Sequence, residues 1–258
     1  MRPATLMQYT SDASLLFAAA RSRDGEAIAQ LAQRYAALVY SVALRITAEP
    51  ARAERLTVEV FGIIAAKPER VRGEPAVWIH EQITRRAREL MADTVHPPRV
   101  DPAEEPGWDE VRHALDKALL RLSARNRNVV LQHYYQRHSQ DDLAEMLQVT
   151  QPVVGKRLRK GLELLRGKLV EADAGCSLGH LMMLLARYAA SDAPPQLIAK
   201  ARAAAVDRLE ASPEKRGGWL GILAVWAVVA GLIVAVAASY SRTPDAAKAN
   251  TTTMPSSR

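Results

Sequence analysis

Between residues 150 and 168 the chain sets cations at a spacing suited to nucleic acid. Lys156, Arg157, Arg159 and Lys160 stand in one short stretch, and ammonium and guanidinium groups in such a run meet phosphate oxygens and base edges. Val154, Leu158, Leu162, Leu165 and Leu169 recur there at helical intervals. As a helix the stretch buries that stripe, leaves Lys156 and Lys160 nearly opposite it, and puts Arg157 and Arg159 on its flanks. Thr150, Gln151 and Val153 open the same helix, at the end that a recognition helix offers to base edges. Upstream, Ser139-Gln140-Asp141-Asp142 has the form of a capping box, and Leu143, Ala144 and Leu147 supply the buried side of a short helix. Gln148-Val149-Thr150 has the length of a tight turn, Thr150 suits the cap, and Pro152 suits a first turn, where a missing N–H costs nothing. At Gln148 a glycine would turn more easily, because the left-handed region costs another residue about 1 kcal/mol. A short helix, a three-residue turn and a long basic helix is the order of a helix-turn-helix. A solvated basic face on an ordinary helical hairpin has the same spacing.

No other constellation suggests chemistry. His80, His96, His113, His133, His138 and His180 are scattered without paired ligand spacing, and the glycines form no phosphate-cradling loop. Cys176 and His180 are four apart, but two ligands do not make a metal site. The expectation is a protein that is not an enzyme and needs no cofactor or metal. Cys176, the single cysteine, reads as a buried thiol and suits a reducing compartment.

The elements that must hold the basic helix read as all-α. The composition favours helices over strands, and the net charge of +7 suits a polyanionic partner, nucleic acid or an acidic membrane surface. Ser11 to Ala20 is a short helix, and Asp24 can cap the next, with Ile28, Leu31, Tyr35, Leu38, Val42 and Ile46 on one side. Pro50 and Pro75 open two more. Residues 11–93 thus form one small helical domain. Residues 94–108 carry four prolines without an apolar period and form a linker. Residues 109–170 form a second small domain, in which Ser123 can cap a helix ahead of the helix-turn-helix. Residues 171–218 hold two further helices, one over Ser177 to Ala190 and one from Pro194-Pro195 to about Leu209, which could pack back on the DNA-binding domain and mask it or bind a partner. Residues 219–240 carry no charge over 22 positions. As a helix they would span roughly 33 Å, enough for a hydrocarbon core of about 30 Å, with Trp219 and Tyr240 at the interfaces. They are expected to be a single transmembrane helix, and residues 241–258 a disordered tail.

These blocks resemble the extracytoplasmic-function group of bacterial sigma factors. Arg127, Val129, Leu131, Tyr135, Leu143, Ala144, Val154, Arg157 and Leu158 occupy positions similar to sigma region 4. Tyr35, Val39, Ala43, Ala53-Glu54, Leu56, Glu59-Val60-Phe61 and Trp78-Ile79 look like region 2. The resemblance implies that Glu54, Glu59 and Phe61 meet core RNA polymerase. It also implies that the segment after Trp78, with Arg85, Arg86 and Arg88, meets the minus-10 element of promoter DNA, and that the 151–168 helix reads a minus-35-like element. Plain core packing serves Trp78 and Phe61 equally well, and a solvated face serves the three arginines. The sequence departs from the pattern at Arg55, where an acidic residue is usual, at Val58, where a glutamine is usual, and after Trp78, where the usual asparagine is missing. The stretch APPQLIAKARAAAVDRLE is similar to the juxtamembrane part of membrane-bound anti-sigma factors.

The leading reading is a sigma-type initiation factor with promoter DNA and core RNA polymerase as partners, and an anti-sigma or other membrane protein as a further candidate. Residues 219–240 would anchor it as a single-pass protein of the cell inner membrane with the N-terminal domains in the cytoplasm. Lys215 and Arg216 flank the span on the inner side, against Arg242, Lys248 and Arg258 with Asp245 on the other, a small positive-inside bias. The alternatives are a sigma-like membrane regulator that binds DNA or a partner sigma factor without opening promoters, and a scaffold that binds protein only.

Overall fold

Capping chemistry and proline set most of the helix boundaries. The computed structural model describes residues 11–91 and 105–211. Helix α1 (Asp12–Ser22) starts on a reciprocal box between Ser11 and Ser14, and α2 (Gly25–Thr47) starts on Asp24, whose Oδ1 accepts from the Glu26 and Ala27 amides at 2.9 and 3.0 Å. Ala48, left-handed at φ 54°, ends α2, and Pro50 opens α3 (Pro50–Ala66). A single 3-10 turn, Pro68–Arg70, leads to α4 (Pro75–Leu90). Then come α5 (Trp108–Leu120), α6 (Ala124–Tyr134), α7 (Gln140–Met146), α8 (Gln151–Val170), α9 (Leu178–Tyr188) and α10 (Pro195–Ala211). The described residues are helical with no strand. Ser123 takes its expected N-cap position but its side chain makes no cap hydrogen bond.

Helix α2 is the spine. Ile28, Leu31, Tyr35, Leu38, Val39 and Val42 are buried along it, and α1, α3, α4, α5 and α10 all pack on it. Phe61 and Ile64 of α3 and Ile79 and Ile83 of α4 join the same core, which continues through Leu115, Leu119, Tyr135, Leu158 and Leu165. The blocks around α1–α4 and α5–α8 therefore share a core, and all described residues fall in one compact unit, Met1–Ser212.

A buried polar knot sits where they join. Arg45 of α2 donates through Nε and Nη2 to the two oxygens of Asp116 on α5, at 2.8 and 3.0 Å. Its Nη2 also reaches the Tyr135 hydroxyl at 3.1 Å, and its Nη1 the Ala189 carbonyl at 3.1 Å. His80 of α4 closes the group, with Nε2 3.1 Å from Asp116 Oδ1. A carboxylate can only accept, so Nε2 carries the proton; Nδ1 is buried with no hydrogen-bond partner. Burial works to raise the Asp116 pKa, but the Arg45 and His80 contacts overcome it and hold the carboxyl at about 2.

Burial holds His80 below its ordinary pKa, against the pull of Asp116. As pH falls, the unfolded chain therefore takes up that proton first, near pH 6.5. Stability from this group is complete above that pH and declines below it. The Asp116 contribution is present above a pH of about 4 and declines towards 2. Melting temperature is expected to start falling below about pH 6.5, with His80→Gln removing this upper limb while leaving the acid limb. An unchanged upper limb in His80→Gln would contradict the assignment.

The expected helices over 177–190 and 194–209 are present as α9 and α10. Ser177 caps α9, which packs on α8, and the Trp108 and Tyr188 rings stack at 5.3 Å. Helix α10 lies along α2 and α3 and buries Leu197, Ala201, Ala205 and Leu209. It thus covers the first block rather than the helix-turn-helix. Gly25 of α2 allows close approach at its start: a Cβ added there would come 3.3 Å from Val206 of α10. Most of the 94–108 linker and the 219–240 and 241–258 segments lie outside the described residues. Among the described residues no helix is long and apolar enough to cross a membrane.

Candidate nucleic-acid interface

The basic helix is held by four packed helices, α5, α6, α7 and α9. Ser139 Oγ accepts from the Asp142 amide at 3.0 Å, and Asp142 Oδ2 accepts from the Ser139 amide at 2.9 Å, which is the expected capping box at the start of α7. Leu143 is its fully buried contact. Gln148 follows with φ 52°, the left-handed turn residue anticipated from the sequence, and the Val149 amide closes the turn on the Ala144 carbonyl at 2.9 Å. Thr150 takes the N-cap position with an extended backbone, but its side chain makes no cap bond. In the first turn Pro152 has no N–H, and the Val153 and Val154 amides donate to the Thr150 carbonyl at 2.9 and 3.2 Å; the positive dipole end of α8 lies at this turn.

Helix α8 buries Val154, Leu158, Leu162, Leu165 and Leu169. Thr150, Gln151, Val153, Lys156, Arg159 and Lys160 are exposed and Arg157 is half-buried. The expected contact residues thus share the solvent-facing part of α8. Lys156, Arg157 and Lys160 have no ion-pair partner among the described residues, and Arg159 approaches Glu163 only to 3.9 Å. These cations are available to phosphates. Val153, 38% exposed, offers a methyl surface of the kind that meets a thymine methyl.

Sequence reasoning missed Gly161. A Cβ there would stand 3.0 Å from Val130 Cγ2 and 3.2 Å from the Asn126 carbonyl oxygen, so the glycine lets α8 lie directly against α6 and fixes the angle at which the basic side is presented. The available signal was a glycine in the buried stripe of an otherwise regular helix.

The other expected site residues fall on α3 and α4. Glu54 is half-buried and Glu59 exposed. Phe61 is fully buried, so its expected place on a docking surface is corrected: an aromatic on the inner side of α3 gains more from the core than from water, and it supports the helix from behind. Arg86, expected to meet DNA, and Glu59, expected to meet polymerase, pair with each other at 2.9 Å across α3 and α4. Both are roughly half-exposed, so the pair contributes about 0–1 kcal/mol and is easily surrendered to a partner. Arg85 bonds Glu81 at 3.2 Å, and Arg88 has no ion-pair partner among the described residues. Trp78 is half-buried against the core. Cys176 is buried. No group of three metal-ligating side chains comes together among the described residues.

No curated protein matches the chain. Residues 112–165, which run from α5 into α8 and contain α7, the turn and the first three-quarters of α8, match the family described as Sigma-70, region 4, and the match supports a part in DNA binding and transcription initiation.

Proposed function

We propose that the chain is a membrane-anchored sigma-type factor that acts by binding rather than catalysis, bringing core RNA polymerase to promoter DNA. One observation carries the reading: the α7–α8 helix-turn-helix turns its unpaired cations outward within the stretch that matches sigma region 4. In this reading Thr150, Gln151, Val153, Lys156, Arg157, Arg159 and Lys160 meet the promoter, with Arg85, Arg86 and Arg88 as further phosphate contacts. Glu54 and Glu59 on the outer side of α3 meet polymerase. Residues 219–240 hold the protein in the inner membrane with the helical unit in the cytoplasm, where DNA is found. The extracytoplasmic-function type and an anti-sigma or other membrane partner belong to the same proposal.

A second reading, a sigma-like regulator that binds DNA without recruiting polymerase, is favoured by Arg55. This residue is exposed on α3 next to Glu54, a cation where the sigma pattern has an acid. Co-purification of core RNA polymerase with the full-length chain separates the two. The leading reading expects wild type to retain polymerase and Glu59→Lys to lose it with an unchanged helical spectrum, since losing the Arg86 pair costs no more than about 1 kcal/mol. Retention of DNA without polymerase by wild type would establish the second reading instead.

A further inference from the structure

A cleft of about 540 Å³ opens between α4 and the α5–α6 corner, lined by Glu81, Arg85, Arg88, Glu89, Leu120 and Arg127. This is the size of a small-molecule site. Arg127 is its unusual member. The residue is only 6% exposed, its Nε is buried with no hydrogen-bond partner, and its nearest carboxylate oxygen, on Glu81, stays 3.9 Å from Nη2. A charge-assisted hydrogen bond would be about 2.7–2.9 Å. Glu81 directs its other oxygen to Arg85 at 3.2 Å. A guanidinium is thus buried at the cleft wall without a carboxylate in bonding contact, an arrangement proteins avoid unless something else pairs with it. Burial pulls its pKa below the ordinary arginine value and Glu81 restores only part. Arg88, half-buried on the same wall, is also without an ion pair among the described residues.

Three guanidinium groups face two carboxylates here, so the cleft attracts anions. Planar forks such as these match the oxygens of a phosphate better than they match a point charge. Glu81 and Glu89 limit the excess of positive charge to what one phosphate needs, and they offer acceptors to hydroxyl or amino groups on the rest of a ligand. We propose that this cleft binds a single phosphate group between Arg127 and Arg88. The buried position of Arg127 suits the terminal phosphate of a small molecule that carries hydroxyl or amino groups, such as a nucleotide. A nucleic-acid backbone presents the same chemistry from a second source. The site joins α4 to α6, so an occupant ties together the two blocks, and it does so whether or not the chain recruits polymerase.

Calorimetric titration of the full-length chain in mild detergent tests the site with inorganic phosphate and AMP at constant ionic strength, and with duplex DNA at several salt concentrations. The variants are Arg127→Lys, which keeps the charge and removes the fork, and Arg88→Ala, with Arg70→Ala as an exposed control outside the cleft. Saturable binding of phosphate or AMP, at least tenfold weaker in Arg88→Ala and Arg127→Lys and unchanged in Arg70→Ala, is the expected result and makes a small phosphorylated molecule the source. If neither small probe binds but Arg88→Ala flattens the salt dependence of duplex binding by about one slope unit and Arg127→Lys weakens that binding with the slope kept, the site stands with a backbone phosphate as its occupant. If none of the three probes distinguishes Arg88→Ala from wild type, the proposal is overturned, whether or not Arg127→Lys folds.

Discussion

Replacing Asp116 with alanine is expected to destabilise the protein by about 3–5 kcal/mol, the usual cost of removing one member of a buried ion pair. Both side chains of the Arg45–Asp116 pair are only 3% exposed, so no water replaces the lost carboxylate. The substitution strands a guanidinium that keeps the Tyr135 hydroxyl and the Ala189 carbonyl as its bonding partners, neither of them charged. Because the pair spans α2 and α5, and His80 brings in α4, the loss falls on the junction between the two blocks. Melting temperature should fall by roughly 10 °C or more in a unit of this size. Arg45→Met combined with Asp116→Leu should recover part of the loss, since an apolar pair removes the stranded charge. It should not recover all, because the Tyr135 hydroxyl and His80 Nε2 then lose their partners, at about 1–3 kcal/mol each. A melting temperature unchanged in Asp116→Ala would contradict the role given to the knot.

The second large effect concerns DNA. Replacing Lys156 and Lys160 together with alanine should weaken duplex binding by roughly one to two orders of magnitude and lower the log–log salt slope by roughly two. Both side chains are exposed and neither has an ion-pair partner among the described residues, so stability should move by no more than about 0.5 kcal/mol. Affinity and folding are thereby separated: binding titrations at several salt concentrations report the first, and thermal melts the second. An unaltered affinity and slope would return α8 to an ordinary solvated helix.

Much of the local structure could be read from residue order, because its causes are local. Asp24, Ser139 and Ser177 cap through their own side chains, while Pro50 and Pro75 open helices. Gln148 adopts the left-handed backbone that a three-residue turn demands. Capping position and capping bond proved separable, as Ser123 and Thr150 fill the position without the bond. What escaped was long-range. Arg45 and Asp116 are 71 residues apart on two amphipathic helices, and nothing local marks them as partners. The alanine-rich side of α10 would fit many helices, so its docking on α2 and α3 is decided by shape. Phe61 carried a docking expectation because the family resemblance grouped it with Glu54 and Glu59, yet helical geometry turns it to the core. The pairing of Glu59 with Arg86 joins two expected contact surfaces that the sequence kept apart.

The proposed function has this chain give RNA polymerase a choice of DNA sequence. Its most direct test is to incubate core polymerase with a randomised duplex library, with and without the full-length chain, and to sequence the DNA retained at about 0.15 M salt. The chain is expected to enrich a defined sequence element that core polymerase alone does not enrich, and Lys156→Ala with Lys160→Ala to abolish the enrichment. Retention of the same sequences with and without the chain would contradict it.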